Sequence, residues 1–117
     1  MGQKHFICTH TFCSEQSRRL FLTPPENLNP PSHRLNEKEW SKASKGSYAT
    51  CLQTWVGNDD FFFCHWIADD VEQIYKQIEA WELDNIINTL IHPMHRFMSA
   101  YRNSDEIQQF PETGDKW

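Results

Sequence analysis

The stretch Phe61-Phe62-Phe63-Cys64-His65-Trp66-Ile67-Ala68 decides the fold. Its aromatic and β-branched residues favour a strand, in which successive side chains point to opposite faces. Both faces of this strand are therefore apolar, and leaving a side chain such as Phe62 or Trp66 in water forfeits about 1.5–3 kcal/mol. Helices can cover one face of a sheet, so we expect a second cover on the other face.

The segments beside this strand predict a hairpin and a helix. Residues 48–56 predict another strand, and the polar turn at 57–60 joins it to the first. Asp69 is placed to cap a helix that ends near Trp81. The apolar stripe of that helix has three- and four-residue spacing and consists of Val71, Ile74, Tyr75 and Ile78.

The ends of the chain supply the remaining elements. Residues 4–12 predict a strand, and Ser14 begins a short helix that runs to about Leu22. A Pro-rich insertion at 23–35 follows, and then Asn36 and Glu39 form a capping box for a helix that runs to about Ser44. The last strand is predicted within 91–101, most securely over 96–101, and a polar C-terminal tail begins at 103.

The predicted order, β-α-(α)-β-β-α-β, is typical of the ferredoxin-like split βαβ fold. We therefore predict one α+β domain over residues 1–117, with a four-stranded antiparallel sheet and helices on one face. The simplest cover for the other face is a second copy, packed sheet to sheet as a two-fold homodimer. The alternative is that the Pro-rich insertion of the same chain folds over that face.

The hairpin turn also predicts which face the helices cover. A turn at 57–60 pairs Val56 with Phe61, so Phe62, Cys64 and Trp66 share a face with Trp55, Gln53 and Cys51. The opposite face, with Val56, Thr54, Leu52, Phe61, Phe63, His65 and Ile67, is more aliphatic. We expect the aliphatic face to lie under the helices and the face with thiols and indoles to meet the partner or a cavity.

Charge and cysteine usage limit the classes of partner. The net charge of −5 argues against a nucleic-acid backbone and against an anionic membrane as partners. The N-terminus lacks an apolar signal segment, so we expect a cytoplasmic protein. The four cysteines form no C-x-x-C pair and are expected to be buried thiols in that compartment.

Several segments together resemble a known group of proteins. They are residues 6–11, 51–56, 61–66 and 74–79. They look like small ferredoxin-like proteins of the dimeric α/β-barrel superfamily, domains of unknown function related to nickel-binding ferredoxin-like proteins. The resemblance covers residues 4–101 except the Pro-rich insertion, and it implies the fold and a homodimer.

A transition-metal site is the first hypothesis for function. Cys8 and His10 are two residues apart on one strand, so both side chains project from the same face. In this fold the first strand lies beside the third, so either Cys64 or His65 can approach them, and the face assignment favours Cys64 as the third ligand. Thiolate and imidazole ligands suit Zn, Ni or Cu, and the resemblance favours Ni or Zn.

A small-molecule pocket is the alternative. The superfamily implied by the resemblance includes cofactor-free monooxygenases and isomerases that act on aromatic substrates. His65 could supply a general base, with His10 as a second candidate, and Trp66, Trp55 and Tyr101 could supply aromatic walls.

A binding dimer without catalysis is a further alternative, since it requires no special residue. The chain lacks a phosphate-binding Gly-rich loop and the common hydrolase motifs. Sequence alone therefore leaves open whether the protein is an enzyme.

Overall fold

The structure is a computed structural model that describes residues 3–107. Within this range the chain forms strands β1 (Lys4–Phe12), β2 (Thr50–Val56), β3 (Phe61–Ala68) and β4 (Ile87–Met94), with helices α1 (Glu15–Leu22), α2 (Glu37–Ala43) and α3 (Val71–Ala80). Short 3₁₀ turns lie at Pro25–Asn27 and Leu83–Asn85. Residues 108–117 of the predicted polar tail lie outside the described range. No described helix has the length and apolar character needed to cross a bilayer.

The strands form one antiparallel sheet in the order β2-β3-β1-β4. All three helices send apolar side chains to the same face of this sheet. Phe21 of α1 stacks on Phe62 at 4.8 Å between ring centroids, and Trp81 after α3 contacts Trp66 at 5.8 Å. Trp40 of α2 packs against the same core cluster. This α+β arrangement is compatible with the ferredoxin-like fold.

Local capping chemistry begins each helix. The Ser14 side chain accepts a hydrogen bond from the Ser17 backbone N–H, and Asn36 with Glu39 forms the predicted capping box. The prediction that Asp69 caps α3 was wrong by one residue. Asp70 holds the extended cap conformation, and its carboxylate accepts from the N–H of Gln73.

The last strand lies earlier than predicted. It spans Ile87–Met94, whereas residues 96–101 form no strand. Because Pro93 cannot donate to a strand ladder, the sequence predicts either a late start or an edge position for this strand. β4 is an edge strand paired only with β1 among the described residues, so a missing N–H at this position can face away from the sheet.

The predicted hairpin register was also wrong. Val56 lies opposite Phe62 rather than Phe61, and the pairing continues to Gln53 opposite His65. A β-bulge between Cys51 and Gln53 then shifts the register. The sequence around 51–53 contains no Gly or Pro that would have signalled this irregularity.

The assignment of the face under the helices was wrong as well. Phe62, Cys64 and Trp66 lie under the helices, and each is at most 5% exposed. The other side, which we call the open face, carries His5, Ile7, Trp55, Phe61, Phe63, His65, Ile67, Leu90 and His92. The rings of Phe62 and Trp66 fill the space beneath the helices, so aliphatic character did not decide which face is covered.

Candidate functional site

A cleft of about 1100 Å³ lies between the open face and residues 95–107, which follow β4. His5, Leu52, Gln53 and His65 line it from the sheet side. Phe97, Met98 and Tyr101 are among the residues that line it from the later segment. A large cleft with apolar walls and a few convergent polar groups is typical of a small-molecule site.

Two histidines on the sheet side of the cleft are hydrogen-bonded to each other. Nδ1 of His5 lies 2.8 Å from Nε2 of His65. The Gln53 amide nitrogen lies 3.3 Å from Nδ1 of His65. The three side chains therefore form a continuous row of hydrogen bonds across β2, β3 and β1.

Phe97 removes part of this row from water. Its ring centroid lies 4.7 Å from that of His65 and 6.0 Å from that of His5. His65 is only 2% exposed. Burial, with a smaller contribution from His5, lowers the pKa of His65. A neutral imidazole at His65 is therefore favoured near neutral pH.

The row can exist in two neutral states that differ in which end carries a proton. When the Gln53 amide donates to His65, His65 donates to His5, and Nε2 of His5 carries a hydrogen. When the amide turns over and its oxygen accepts, both histidines reverse, and Nε2 of His5 presents a lone pair. The arrangement can thus accept a proton in one state and deliver it in the other.

The β-bulge aims Gln53 at His65. Side chains alternate along a regular strand, but the extra residue at Leu52 places Cys51 on the helix-covered face and Gln53 on the open face opposite His65. The bulge also leaves Leu52 beside Gln53 at the cleft. Bulges commonly redirect side chains next to functional sites.

The structure separates the four residues predicted for the pocket. His65 and Tyr101 line the cleft. Trp66 lies on the opposite face of the sheet and does not line this cleft. Trp55 is on the open face but lines a separate pocket of about 230 Å³ with Phe61 and Phe63. Sequence reasoning missed His5. Two signals were available: side chains alternate along β1, which places His5 on the face opposite Phe6, and β1 lies beside β3.

The residues predicted as metal ligands lie together on the helix-covered face. Cys8 pairs directly with Cys64 across β1 and β3, and His10 lies on the same face of β1, where its Nδ1 is 2.8 Å from the hydroxyl oxygen of Thr89. Cys51 lies on this face as well, and its thiol donates to the backbone oxygen of Gln53 at 3.4 Å. His10 therefore belongs to this thiol cluster and not to the cleft, where it had been a second candidate base.

Metal binding by this cluster is not confirmed. Within residues 3–107, no group of three or more His, Cys, Asp or Glu side chains is arranged to hold a metal ion. The Ni or Zn site at Cys8, His10 and Cys64 stays a prediction. The described geometry gives stronger grounds for chemistry at the histidine row.

Comparisons with known proteins add no family to this description. No protein-family model, no curated protein and no solved structure matches the chain. The geometry of the site is therefore the basis for the functional argument.

Proposed function

We propose that the protein binds a small aromatic or alicyclic carbonyl compound in the cleft and moves a proton on it without a cofactor. The observation that carries this proposal is the 2.8 Å hydrogen bond between His5 and His65 at the base of the cleft. Substrates of this class match an apolar wall that includes Phe97 and Met98. The reaction type is an enolisation, the proton transfer shared by isomerases and cofactor-free oxygenases.

The histidine row supports both halves of such a reaction. Nε2 of His5 accepts the proton from the carbon next to the carbonyl, and the electron pair of the C–H bond moves into the enolate. The same nitrogen then returns the proton to carbon, the enolate electron pair forms the new C–H bond, and the row regains its neutral starting state. His65 stays neutral before the reaction because its pKa is lowered, which keeps the row able to accept a proton.

Deuterium exchange tests this chemistry directly. β-Tetralone is a suitable probe because it is aromatic and carries acidic hydrogens beside its carbonyl. Wild-type protein in D₂O is expected to accelerate deuterium incorporation into the probe, followed by NMR. His5→Leu and His65→Leu are each expected to lower the protein-dependent rate by about 10²-fold or more, the usual contribution of a positioned acid or base.

His92→Leu provides the matched control. His92 is exposed on the same open face, opposite Ile7, but it does not line the cleft. This variant is expected to retain the wild-type exchange rate, and thermal unfolding of all variants checks that they fold. If the probe binds in the cleft without exchange, the catalytic proposal fails and a binding role without catalysis is favoured.

We also propose that a second copy of the chain covers the open face. The strand order 2-3-1-4 supports the ferredoxin-like split βαβ arrangement, whose open face is the one without helices. Trp55, Phe63 and Leu90 on this face are 52%, 40% and 63% exposed. An exposed patch of this kind marks an interaction surface, and two-fold pairing is the commonest way to bury it.

Sedimentation velocity tests this homodimer. Wild-type protein is expected to sediment as a dimer, and Phe63→Glu as a monomer, because the pairing would bury an unpaired charge. Leu35→Glu is the control, since Leu35 is 49% exposed and belongs to the segment before α2 and not to a strand. Monomeric wild-type protein at working concentration would overturn the dimer but not the proton-transfer proposal.

A further inference from the structure

The cleft carries an excess of positive charge that the histidine row does not use. Among the described residues that line it, Arg96 and Arg102 are cationic and Glu106 is anionic. The chain as a whole has a net charge of −5, so the charge balance in the cleft is the reverse of that of the protein. A cavity with cationic walls favours a ligand that carries negative charge.

Arg102 lies one aromatic ring away from the histidine row. Its guanidinium carbon is 5.3 Å from the centroid of the Phe97 ring, which is within the range of a cation–π contact. The same ring contacts His65 at 4.7 Å and His5 at 6.0 Å between ring centroids. Because the cation and both imidazoles contact one ring, a single small molecule can reach the cation and the proton-accepting nitrogen together.

A turn over residues 99–103 positions Arg102. The backbone N–H of Arg102 donates to the Ser99 hydroxyl oxygen at 3.3 Å, and the N–H of Asn103 donates to the Ser99 backbone oxygen at 3.2 Å. Asn103 has a φ of 47°, in the left-handed region that Asn adopts more readily than most other residues. The backbone that carries the guanidinium is therefore held in a defined conformation.

Arg102 is paired with a carboxylate from its own segment. Its Nη2 lies 3.0 Å from Oε2 of Glu106, and the two side chains are 43% and 69% exposed. Ion pairs as exposed as this one contribute little to stability. A carboxylate on a ligand can therefore take the place of Glu106, and the planar guanidinium can bind it through two parallel hydrogen bonds.

We propose that the substrate of the cleft is an aromatic 2-oxo acid whose carboxylate binds Arg102, an inference that rests on the proposed proton transfer and names its substrate class. The apolar wall that includes Phe97 and Met98 accommodates the aromatic ring. In such an acid the carboxylate and the acidic C–H group are both attached to the same carbonyl carbon. This closeness matches a cation and a base that contact the same ring.

The reaction on this substrate is a keto–enol tautomerisation. Nε2 of His5 accepts a proton from the carbon beside the carbonyl, and the C–H electron pair becomes the C=C bond of the enolate. The π electron pair of the carbonyl moves to its oxygen. Transfer of the proton to that oxygen gives the enol, an isomer of the starting acid, so no oxidant or other reactant is consumed. Arg102 holds the carboxylate and determines specificity, while the histidine moves the proton.

Two probes that differ in the carboxylate test this inference. Phenylpyruvate is the acid, and phenylacetone has a methyl group in place of the carboxylate. NMR in D₂O gives the rate of deuterium incorporation at the benzylic CH₂ group with protein, relative to the rate in buffer. The wild type is expected to prefer phenylpyruvate in kcat/KM by at least about tenfold, because hydrogen bonds to a charged group are the stronger ones.

Variants of the ion pair identify the group that recognises the acid. Arg102→Gln is expected to lower this preference by at least about tenfold, through a higher KM for phenylpyruvate. Arg102→Lys is expected to restore part of the preference, because Lys keeps the charge but not the planar fork. Glu106→Gln removes the competing carboxylate and is expected to lower the same KM by about two- to fivefold.

Arg34→Gln is the matched control for loss of one positive charge. Arg34 also forms an exposed ion pair, with Glu26, and it does not line the cleft. This variant is expected to keep the preference of the wild type for phenylpyruvate. Thermal unfolding of every variant checks that it folds.

The outcomes separate this inference from the proton-transfer proposal. Exchange of β-tetralone without a preference for phenylpyruvate, or a preference that survives in Arg102→Gln, would overturn the acid as substrate and leave proton transfer standing. Calorimetric binding of phenylpyruvate that depends on Arg102, without exchange on any probe, would support recognition of the carboxylate and overturn proton transfer. Absence of both binding and exchange would overturn the two together.

Discussion

Replacing Gln53 by Leu tests the histidine row through its buried end. The Gln53 amide lies 3.3 Å from Nδ1 of His65, and His65 is 2% exposed. Leu keeps a similar volume but leaves this ring nitrogen without its partner. An unsatisfied buried polar group costs about 1–3 kcal/mol, and the partial exposure of Gln53 lets water offset some of it, so we expect a loss of about 1–2 kcal/mol in the free energy of unfolding.

The assay is urea unfolding at pH 8, with thermal unfolding as a second measure. A loss of this size corresponds to a fall in Tm of about 4–8 °C for a domain of this length. The proton-transfer rate on β-tetralone is expected to fall as well, because the tautomer of His65 is no longer fixed. Unchanged stability together with unchanged exchange would refute the claim that Gln53 orients the row.

Gln53→Glu is the matched variant, and it separates loss of a partner from loss of orientation. A carboxylate beside Nδ1 favours the charged imidazole, so the pKa of His65 is expected to rise. With its folded pKa above the unfolded value, this variant gains stability below about pH 6.5 and loses it as the pH rises through the folded pKa. A variant with the pH dependence of wild type would contradict the contact between residues 53 and 65.

Three further predictions test the packing and the protonation of the site. The free energy of unfolding of the wild type should be complete above about pH 6.5 and should fall as the pH drops through that value. The reason is that burial lowers the pKa of His65, so the unfolded chain binds more protons than the folded chain in that range. His65→Gln should therefore flatten the stability measured by urea unfolding between about pH 5 and 7. Phe62→Ala should cost about 3–5 kcal/mol in urea unfolding, while Phe63→Ala on the open face should cost much less in the monomer, and the reverse order would contradict the face assignment. Gly46→Ala should cost about 2–4 kcal/mol in the same assay, because the added methyl group would meet the side-chain amide of Gln77. The oxygen of that amide accepts hydrogen bonds from two backbone N–H groups in the segment before β2. An unchanged urea midpoint would refute this contact.

The sequence allowed the local elements to be predicted because their signals are local. β3 was placed at its observed bounds by its run of aromatic and β-branched residues, and α1 and α2 were placed by the caps Ser14 and Asn36. β4 was misplaced, since whether Pro93 is tolerated depends on its position at the edge of the sheet. The position of a strand within the sheet depends on tertiary packing and cannot be predicted from the sequence of that segment alone.

The residues of the candidate site were likewise predicted only in part. Neighbouring positions for Cys8, His10 and Cys64 followed from two-residue alternation and from the adjacency of β1 and β3. The row from Gln53 through His65 to His5 was missed because it depends on a β-bulge and on a contact between residues 60 positions apart in the chain. Both requirements arise only when the sheet is assembled.

Nitrogen NMR of the histidine rings tests the central claim most directly. Long-range ¹H–¹⁵N spectra between about pH 5 and 8 report the tautomer and the pKa of each ring. We expect His5 and His65 to be coupled through one hydrogen bond, His65 to stay neutral to a pH below the ordinary histidine pKa, and β-tetralone to shift both sets of signals. Two independently titrating rings, with His65 at an ordinary pKa and no response to the probe, would contradict it.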